Sequence, residues 1–321
     1  MIQIQAAVVS DFAEPASYRP IEIPEPRAGE ELVEVLAAGL HPRVRSGARG
    51  AHYTSSGRLP QIPGIDGVGR RADGALVYFA LDDDRFGSMA TRAVVDPRRT
   101  IALPEGSDVV RIAAAMNPAM SSWVALRRRI TLTPGAAVLV LGATGSAGTM
   151  AVRIAKLLGA GSVVAAGRDP RRLARLASLG ADVRVRLTED LDATASALAG
   201  AAADADVVLD YLWGAPSGRA IPALLRARTD RSRPLDWIEI GSVAGPDIVL
   251  PSAALRSAHL RLIGSGQGSI GPREYLAELP SLVEAINAGR IAVETRVAPL
   301  EEVHAVWAEQ PQPGVRTVLM P

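Results

Sequence analysis

The chain has 321 residues, about the length of two domains, and a formal net charge of +1 from 35 Lys and Arg against 34 Asp and Glu. This balance argues against a nucleic acid or an anionic membrane surface as the main partner. There is no cysteine, which excludes disulfides and every zinc site built on thiolates. The chain begins with no basic segment followed by an apolar core, and it has no run of eighteen apolar residues. We therefore expect a cytoplasmic protein without a membrane partner.

Short alternating segments broken by Gly and Pro fill residues 1–110. They read QIQAAVV, ELVEVLAAG, GALVYFA and MATRAVV, and they predict strands of an irregular antiparallel domain. The next segment, NPAMSSWVALRRR, predicts a helix, with Asn117 as its N-cap and Pro118 in its first turn.

Apolar strands and helices alternate between residues 136 and 264. The strand segments read AAVLVLG, SVVAAG, ADVVLDYL, LDWIEIGSV and LRLIGSG. Repeated βα units predict a parallel sheet with helices on both faces. After residue 270, YLAELPSLVEAINAGR and PLEEVHAVWAEQ predict helices, and GVRTVLMP predicts a closing strand.

A glycine-rich turn, LVLGATGSAGTM at 139–150, lies between the first of these strands and its helix. Glycines let backbone N–H groups approach a pyrophosphate, and the helix N-terminus adds positive potential. The alternative is a strand–helix turn without a ligand. We predict that the turn binds phosphate through Ala143, Thr144, Gly145, Ser146, Ala147 and Gly148.

The end of the following strand predicts which nucleotide binds. An acidic residue there would bind the ribose 2′-OH of NAD, but the strand ends at Gly167 and Arg168 follows. Arg168 and Arg172 could pair with a 2′-phosphate, so we expect NADP(H). Asp169, placed before Pro170, is better explained as a helix N-cap. The alternative for the helix arginines is a solvated face.

Segments across nearly the whole chain resemble the medium-chain dehydrogenase/reductase superfamily, in its zinc-free, quinone oxidoreductase-like branch. They are GLHPRVRSG, PGIDGVG, AAAMNPAMSSWVAL, VLVLGATGSAGTMAVRIAKLLGA, VVLDYLWG and PGVRTVLMP. The resemblance implies an α/β fold with a doubly wound Rossmann sheet inserted in an irregular antiparallel, GroES-like catalytic domain. It places the catalytic domain at 1–117 and 265–321, and the NADP-binding domain at 118–264.

The resemblance also implies where chemistry takes place. Zinc-dependent members have a Cys-His pair where this chain has Leu40-His41, a His-Glu pair near Ile65-Asp66, and a four-cysteine lobe that is absent here. We therefore expect no catalytic metal. His41 stands where quinone reductase relatives have an Asn near the nicotinamide, and its pKa suits proton transfer near neutrality. The alternative for His41 is a turn histidine bonded to the backbone.

Further candidates lie in other segments, of which the helix with Asn117 and Ser121 is placed by the resemblance. Tyr53 could offer a hydroxyl or be an exposed loop residue, and Asp66 could orient His41 or close a turn. Asn117 and Ser121 fall on the helix that faces the cofactor, with helix capping as their alternative. At the carboxyl ends of the later strands, which line ligand sites in open α/β sheets, we expect cofactor contacts from Tyr211, Gly241, Ser242, Ser265, Gly266 and Gln267.

The leading functional hypothesis is an NADPH-dependent, metal-free reductase of an activated C=C or C=O, such as a quinone or enone. The alternatives are a zinc-independent alcohol, ketone or biosynthetic tailoring reductase, and a weakly catalytic nucleotide-binding sensor. The expected partner is a small carbonyl, enone or quinone molecule. The resemblance further implies a homodimer, formed through LRLIGSG and the preceding PSAALRSAHL.

Overall fold

The computed structural model describes residues 1–52, 54–81, 84–266, 268–310, 312 and 314–321. They form two compact units, one of residues 1–117 with 276–321 and the other of residues 118–275. The sequence-based division ends the nucleotide-binding domain earlier, at residue 264. In the structure the units meet at residues 117/118 and 275/276, and both of these boundaries fall inside helices.

The N-terminal segment is mostly β-structure and leads into a long helix. Its elements are β1 (Ile2–Val8), β2 (Ser17–Ile23), β3 (Glu31–Leu40), α1 (Pro42–Ala48), β4 (Asp66–Arg70), β5 (Leu76–Ala80), β6 (Arg92–Val95), a 3₁₀ turn (Pro97–Arg99), β7 (Thr100–Ala102) and α2 (Val109–Val124). A π-helical turn, Ala125–Arg129, follows α2 directly.

Strands and helices then alternate through the middle of the chain. The elements are β8 (Ala137–Leu141), α3 (Ser146–Leu157), β9 (Ser162–Gly167), α4 (Pro170–Arg175), a 3₁₀ turn (Leu176–Leu179), β10 (Val183–Arg186), α5 (Leu191–Ala202), β11 (Val207–Asp210), α6 (Gly214–Ala227), β12 (Leu235–Glu239), α7 (Ser252–Arg256) and β13 (Leu260–Gly264). The C-terminal segment contains α8 (Pro272–Asn287), β14 (Glu294–Pro299), a 3₁₀ turn (Leu300–Glu302), α9 (Val303–Ala308) and β15 (Val315–Met320).

The second unit contains a parallel sheet with the strand order β10-β9-β8-β11-β12-β13. This is the doubly wound order. Successive strands are added on one side of β8 as far as β10, and the chain then crosses to the other side of β8 to form β11. The central strands are buried along their length, and residues such as Leu139, Val208 and Trp237 form the core. Burial on both faces explains why these strands are continuous apolar runs.

The first unit contains a mostly antiparallel sheet with the strand order β14-β15-β3-β4-β5-β7, and β6 pairs with β3. Strands β1 and β2 form a separate antiparallel pair, while β14 and β15 run parallel. The predicted fold class, a doubly wound parallel sheet combined with an irregular antiparallel domain, is confirmed.

The interpretation of Asn117 as a helix N-cap is wrong. Helix α2 begins eight residues earlier, and Asp108 precedes it and accepts a hydrogen bond from Arg111 N at 2.9 Å. Pro118 lies inside the helix. An interior proline removes one helix hydrogen bond, but the helix continues through it because both sides of the break, including Met116 and Ala119, are buried.

Among the described residues, one helical stretch, 109–129, is long and apolar enough to cross a membrane, with a mean hydropathy of 1.2. However, 72% of its apolar window is buried inside the structure. This burial is what a helix of the protein core shows.

Candidate active site

The glycine-rich turn connects β8 to α3 through a tightly packed backbone. Gly142, directly after β8, has φ of +81°, which L-residues with side chains rarely adopt. A Cβ on Gly148 would overlap Gly142 O and would lie 2.7 Å from Ala143 Cα. Thr149 Oγ1 closes the turn by donating to Ala143 O at 3.0 Å. Only glycine at position 148 lets the first turn of α3 lie directly against this loop.

The N-terminus of α3 has no side-chain cap, because its N-cap residue is Gly145. The backbone N–H groups of Ser146 and Ala147 belong to the first turn and have no acceptor within the helix. An uncapped N-terminus beside a glycine turn matches what a pyrophosphate requires, so these residues fit the diphosphate of a dinucleotide.

The end of β9 lies next to this turn. A Cβ on Gly167 would overlap Thr144 Cγ2, so a larger residue there would require Thr144 to shift. Arg168 is exposed. Asp169 caps α4 by accepting from the N–H groups of Arg171 and Arg172 at 2.9 and 3.1 Å, which confirms its predicted N-cap role. Burial lowers the pKa of the half-buried Arg172, although Asp169 opposes this effect. The site therefore offers guanidinium groups, and Asp169 is already occupied as a cap.

The remaining predicted cofactor residues follow the later strands of the sheet. Tyr211 follows β11, Gly241 and Ser242 follow β12, and Ser265 and Gly266 follow β13. Because the strands are parallel, these residues lie at the same edge of the sheet as the glycine turn. Ser265 N donates to Glu239 O at 2.7 Å, which keeps this loop against β12. Gln267 lies outside the described residues.

Ser121 and Tyr211 contact each other in the second unit. Their hydroxyl oxygens are 3.1 Å apart, and Ser121 Oγ also lies 3.2 Å from Pro118 O. Burial raises the pKa of Tyr211 to about 12, although hydrogen bonds from Ser121 and Ser122 partly oppose the shift. Tyr211 is therefore a neutral phenol at physiological pH, able to donate a hydrogen bond.

A buried carboxylate that sequence reasoning missed shapes the loop after β11. Asp210 accepts from Leu212 N at 2.8 Å, Trp213 N at 3.0 Å and Trp237 Nε1 at 2.9 Å. It holds Trp213 at φ of +50°, a region that bulky residues avoid. The available signal was an acidic residue ending the apolar run VVLD, where an apolar residue would be expected.

In the first unit, His41 lies between β3 and α1, and only 3% of it is exposed. Its Nε2 is 3.5 Å from Asp66 Oδ1, while its Nδ1 is buried without a hydrogen-bond partner among the described residues. Burial lowers the pKa of His41, whereas the hydrogen bond and the charge of Asp66 act in the opposite direction. The chain therefore holds an unprotonated imidazole with one nitrogen unused.

Asp66 is the first residue of β4 and is buried. Its Oδ2 accepts from Tyr78 OH at 2.7 Å, and its backbone oxygen accepts from Ser88 Oγ at 2.6 Å. Burial lowers the pKa of the buried Arg316 to about 10, and the negative charge of Asp66 acts in the opposite direction. Sequence reasoning missed Tyr78 and Arg316, because each lies in a strand that reads as ordinary β-structure.

In the described ranges, no contact supports a catalytic role for the two other predicted residues, Tyr53 and Asn117. Tyr53 lies outside the described residues. Asn117 is half-buried within α2, and its side chain makes no hydrogen bond to the described part of the chain. No group of three metal-ligating side chains occurs among the residues that the structure describes.

Comparison with known proteins extends over both units. The family model "Zinc-binding dehydrogenase" matches residues 147–280. The chain is 29% identical to "Probable NADPH-dependent quinone reductase tdiC" of Emericella nidulans, across 99% of this chain and 100% of that protein. A second relative, the chloroplastic "NADPH-dependent alkenal/one oxidoreductase" of Arabidopsis thaliana, is 26% identical over 53% of this chain and 48% of its own length.

Solved structures agree in fold. The quinone oxidoreductase of Coxiella burnetii superposes with a TM-score of 0.76 over the full length of both chains, at 20% identity. At that identity the likeness shows the fold alone. The family match and the full-length relative support the resemblance of this chain to the medium-chain dehydrogenase/reductase superfamily, in its quinone oxidoreductase-like branch.

Proposed function

We propose that this protein is an NADPH-dependent reductase that transfers hydride to an activated C=C or C=O bond of a small quinone- or enone-like molecule. The observation that carries the proposal is the uncapped N-terminus of α3 beside a glycine turn, next to a strand that ends at Gly167 and is followed by Arg168. The full-length relative, a probable quinone reductase, and the alkenal/one oxidoreductase support the same class of reaction.

The cofactor contacts follow from the second unit. The turn 143–148 would hold the diphosphate, and Arg168 with Arg172 would pair with the 2′-phosphate. The nicotinamide end would be surrounded by the residues that follow the later strands at the edge of the sheet, which are Tyr211, Gly241, Ser242, Ser265 and Gly266. When bound, NADPH supplies the hydride, and the protein supplies orientation and electrostatics.

The proton for the substrate comes from His41 in this proposal. Its buried position between β3 and α1 and its unused Nδ1 support that role. Losing a hydrogen bond to the transition state in a site sheltered from water costs roughly 2.7–4 kcal/mol, or about a hundred- to a thousandfold in rate. His41→Ala should lower kcat by that factor while leaving the Kd of NADPH nearly unchanged, because His41 is absent from the phosphate-binding turn.

The test follows NADPH absorbance with a panel of quinones, enones, aldehydes and imines. Turnover of quinones or enones, lost in His41→Ala, is the expected result. Turnover of imines or simple ketones alone would favour the tailoring or ketone reductase hypothesis. No turnover despite tight NADPH binding would favour a sensor.

We also propose a cytoplasmic homodimer joined through β13. This strand ends the order of the parallel sheet, so its outer edge is available to pair with another strand. Leu262 on β13 is 38% exposed. Light scattering should give twice the mass of the chain at micromolar concentration, and Leu262→Glu should give a monomer. A monomeric parent protein would contradict the proposal.

A further inference from the structure

The buried cluster around His41 extends beyond the residues that the reaction itself requires. Tyr78 OH donates to Asp66 Oδ2 at 2.7 Å, and Asp66 Oδ1 lies 3.5 Å from His41 Nε2. Each carboxylate oxygen is therefore engaged by a different partner. Because each oxygen contacts a different side chain, the carboxylate has a defined orientation. Its contact with Nε2 then fixes the orientation of the imidazole ring.

The backbone explains how Tyr78 reaches this position. Strands β4 and β5 are antiparallel, and Tyr78 is directly opposite Val68, two residues from Asp66. Diagonal cross-strand neighbours on one face are close enough for a long aromatic side chain to span. Ser88 Oγ holds the Asp66 backbone oxygen at 2.6 Å, so the start of β4 is also fixed. Only 1% of Tyr78 is exposed.

The charges of the cluster determine which form of His41 is present. Asp66 on β4 supplies one negative charge, and the buried Arg316 on β15 supplies one positive charge. Arg43 on α1 adds a second positive charge that acts on His41. Asp66 favours a proton on His41, whereas burial and the positive charges of Arg316 and Arg43 oppose it and lower the pKa of His41. A neutral imidazole carries one N–H only.

We propose that Tyr78 is a positioning residue that acts through Asp66 to hold His41 in the Nε2–H form, so that Nδ1 is the nitrogen that exchanges a proton with the substrate. This inference rests on the proposed function. A carboxylate only accepts hydrogen bonds, so the ring nitrogen facing Asp66 must be the donor. Nδ1 is then a buried acceptor without a partner among the described residues.

His41 gives one proton to the substrate in each turnover. With the hydride supplied by the dinucleotide when it is bound, the substrate would take its proton from Nδ1 of His41 in its protonated form. The Nδ1–H bond breaks, and its electron pair stays on Nδ1, which regenerates the neutral Nε2–H form. Solvent then returns a proton to Nδ1 for the next turnover. Throughout, the Nε2–H bond to Asp66 stays intact, so Asp66 orients the ring and is never the proton donor.

Nitrogen-15 NMR of histidine-labelled protein without cofactor tests the inference directly. The chain has four histidines, so His41 can be assigned by comparison with His41→Asn. Above its pKa, His41 should show a pyrrole-type Nε2 and a pyridine-type Nδ1. The reverse assignment, with the proton on Nδ1, would overturn the proposal.

Two variants distinguish positioning from simple packing. In Tyr78→Phe the carboxylate loses a hydrogen bond that stabilised its charge, so the pKa of His41 should rise by up to about one unit. In Asp66→Asn the countercharge is lost, so the pKa of His41 should fall and the single tautomer should give way to a mixture. Tyr18→Phe, which removes a phenol oxygen from β2, is the matched control and should leave the titration of His41 unchanged.

Kinetics provide a second readout. The midpoint of the pH profile of kcat/KM should move in the same direction as the NMR titration in Tyr78→Phe. A titration of His41 that is the same in Tyr78→Phe as in the Tyr18→Phe control would overturn the proposal. The NMR result stands even if the protein reduces none of the substrates in the panel, so the failure of the proposed function would be recognised separately.

Discussion

The contact between Gly167 and Thr144 allows a quantitative test of why the second unit requires glycine at the end of β9. A Cβ on Gly167 would overlap Thr144 Cγ2, and it would lie 2.7 Å from Thr144 Oγ1 and 3.1 Å from Thr144 Cβ. Ordinary carbon–carbon contacts are about 3.5–4.0 Å. Overpacking of this kind costs typically about 1–3 kcal/mol, so Gly167→Ala should lower the free energy of unfolding by that amount.

Shortening Thr144 should remove most of that penalty. In Thr144→Ala both γ atoms are gone, and the nearest remaining side-chain atom is Cβ at 3.1 Å. The double variant should therefore be more stable than the sum of the two single effects predicts, with a coupling of about 1–2 kcal/mol. Urea unfolding of the four proteins without cofactor measures this cycle.

Gly200→Ala is the control, because a Cβ there meets nothing within 4 Å. In the interior of α5 it should stabilise the protein by about 0.5–1 kcal/mol. Additive single effects in the cycle would refute the steric reasoning. If the reasoning is correct, Gly167→Asp should lose stability in the same way, because its Cβ would meet the same Thr144 atoms.

Three further predictions concern the site. Arg168→Ala should erase most of the preference for NADPH over NADH, measured by calorimetric titration of both reduced cofactors, and equal affinities in the parent protein would contradict the cofactor assignment. Activity should survive strong chelators, and stoichiometric zinc that is lost together with activity would refute this. Because His41 must be protonated to donate and burial lowers its pKa, kcat/KM should fall as pH rises through a midpoint below about 6.5. A profile that rises with pH would exclude His41 as the acid.

The parallel sheet could be predicted from the sequence because most of its strands are continuous apolar runs. The segments AAVLVLG and LRLIGSG correspond closely to β8 and β13. The edge strand β10, Val183–Arg186, was missed because its exposed arginines hide the pattern. Strand β4 was also missed, since the glycines of DGVGR suggest a turn; they allow close packing instead, and a Cβ on Gly67 would lie 2.9 Å from Phe79 Cζ.

The candidate site could be predicted only in part. The glycine turn has a local signature, and its residues lie together in the structure. His41 and Asp66 were both selected from the sequence, but 25 residues separate them, and only tertiary structure reveals that their side chains approach within 3.5 Å. Tyr78 and Arg316 carry no local signature at all, because their importance comes from strands that pair far apart in the chain.

The position of Pro118 affects how this protein can be divided. The boundary between the two units falls between Asn117 and Pro118, inside α2. A fragment that starts at Asn117 would place the proline in the first turn of a helix, where its missing N–H costs nothing. Such a fragment, extended to Tyr275, contains every strand of the parallel sheet. The residue that interrupts hydrogen bonding in the intact chain thus marks a natural starting point for a nucleotide-binding module that could be grafted or studied alone.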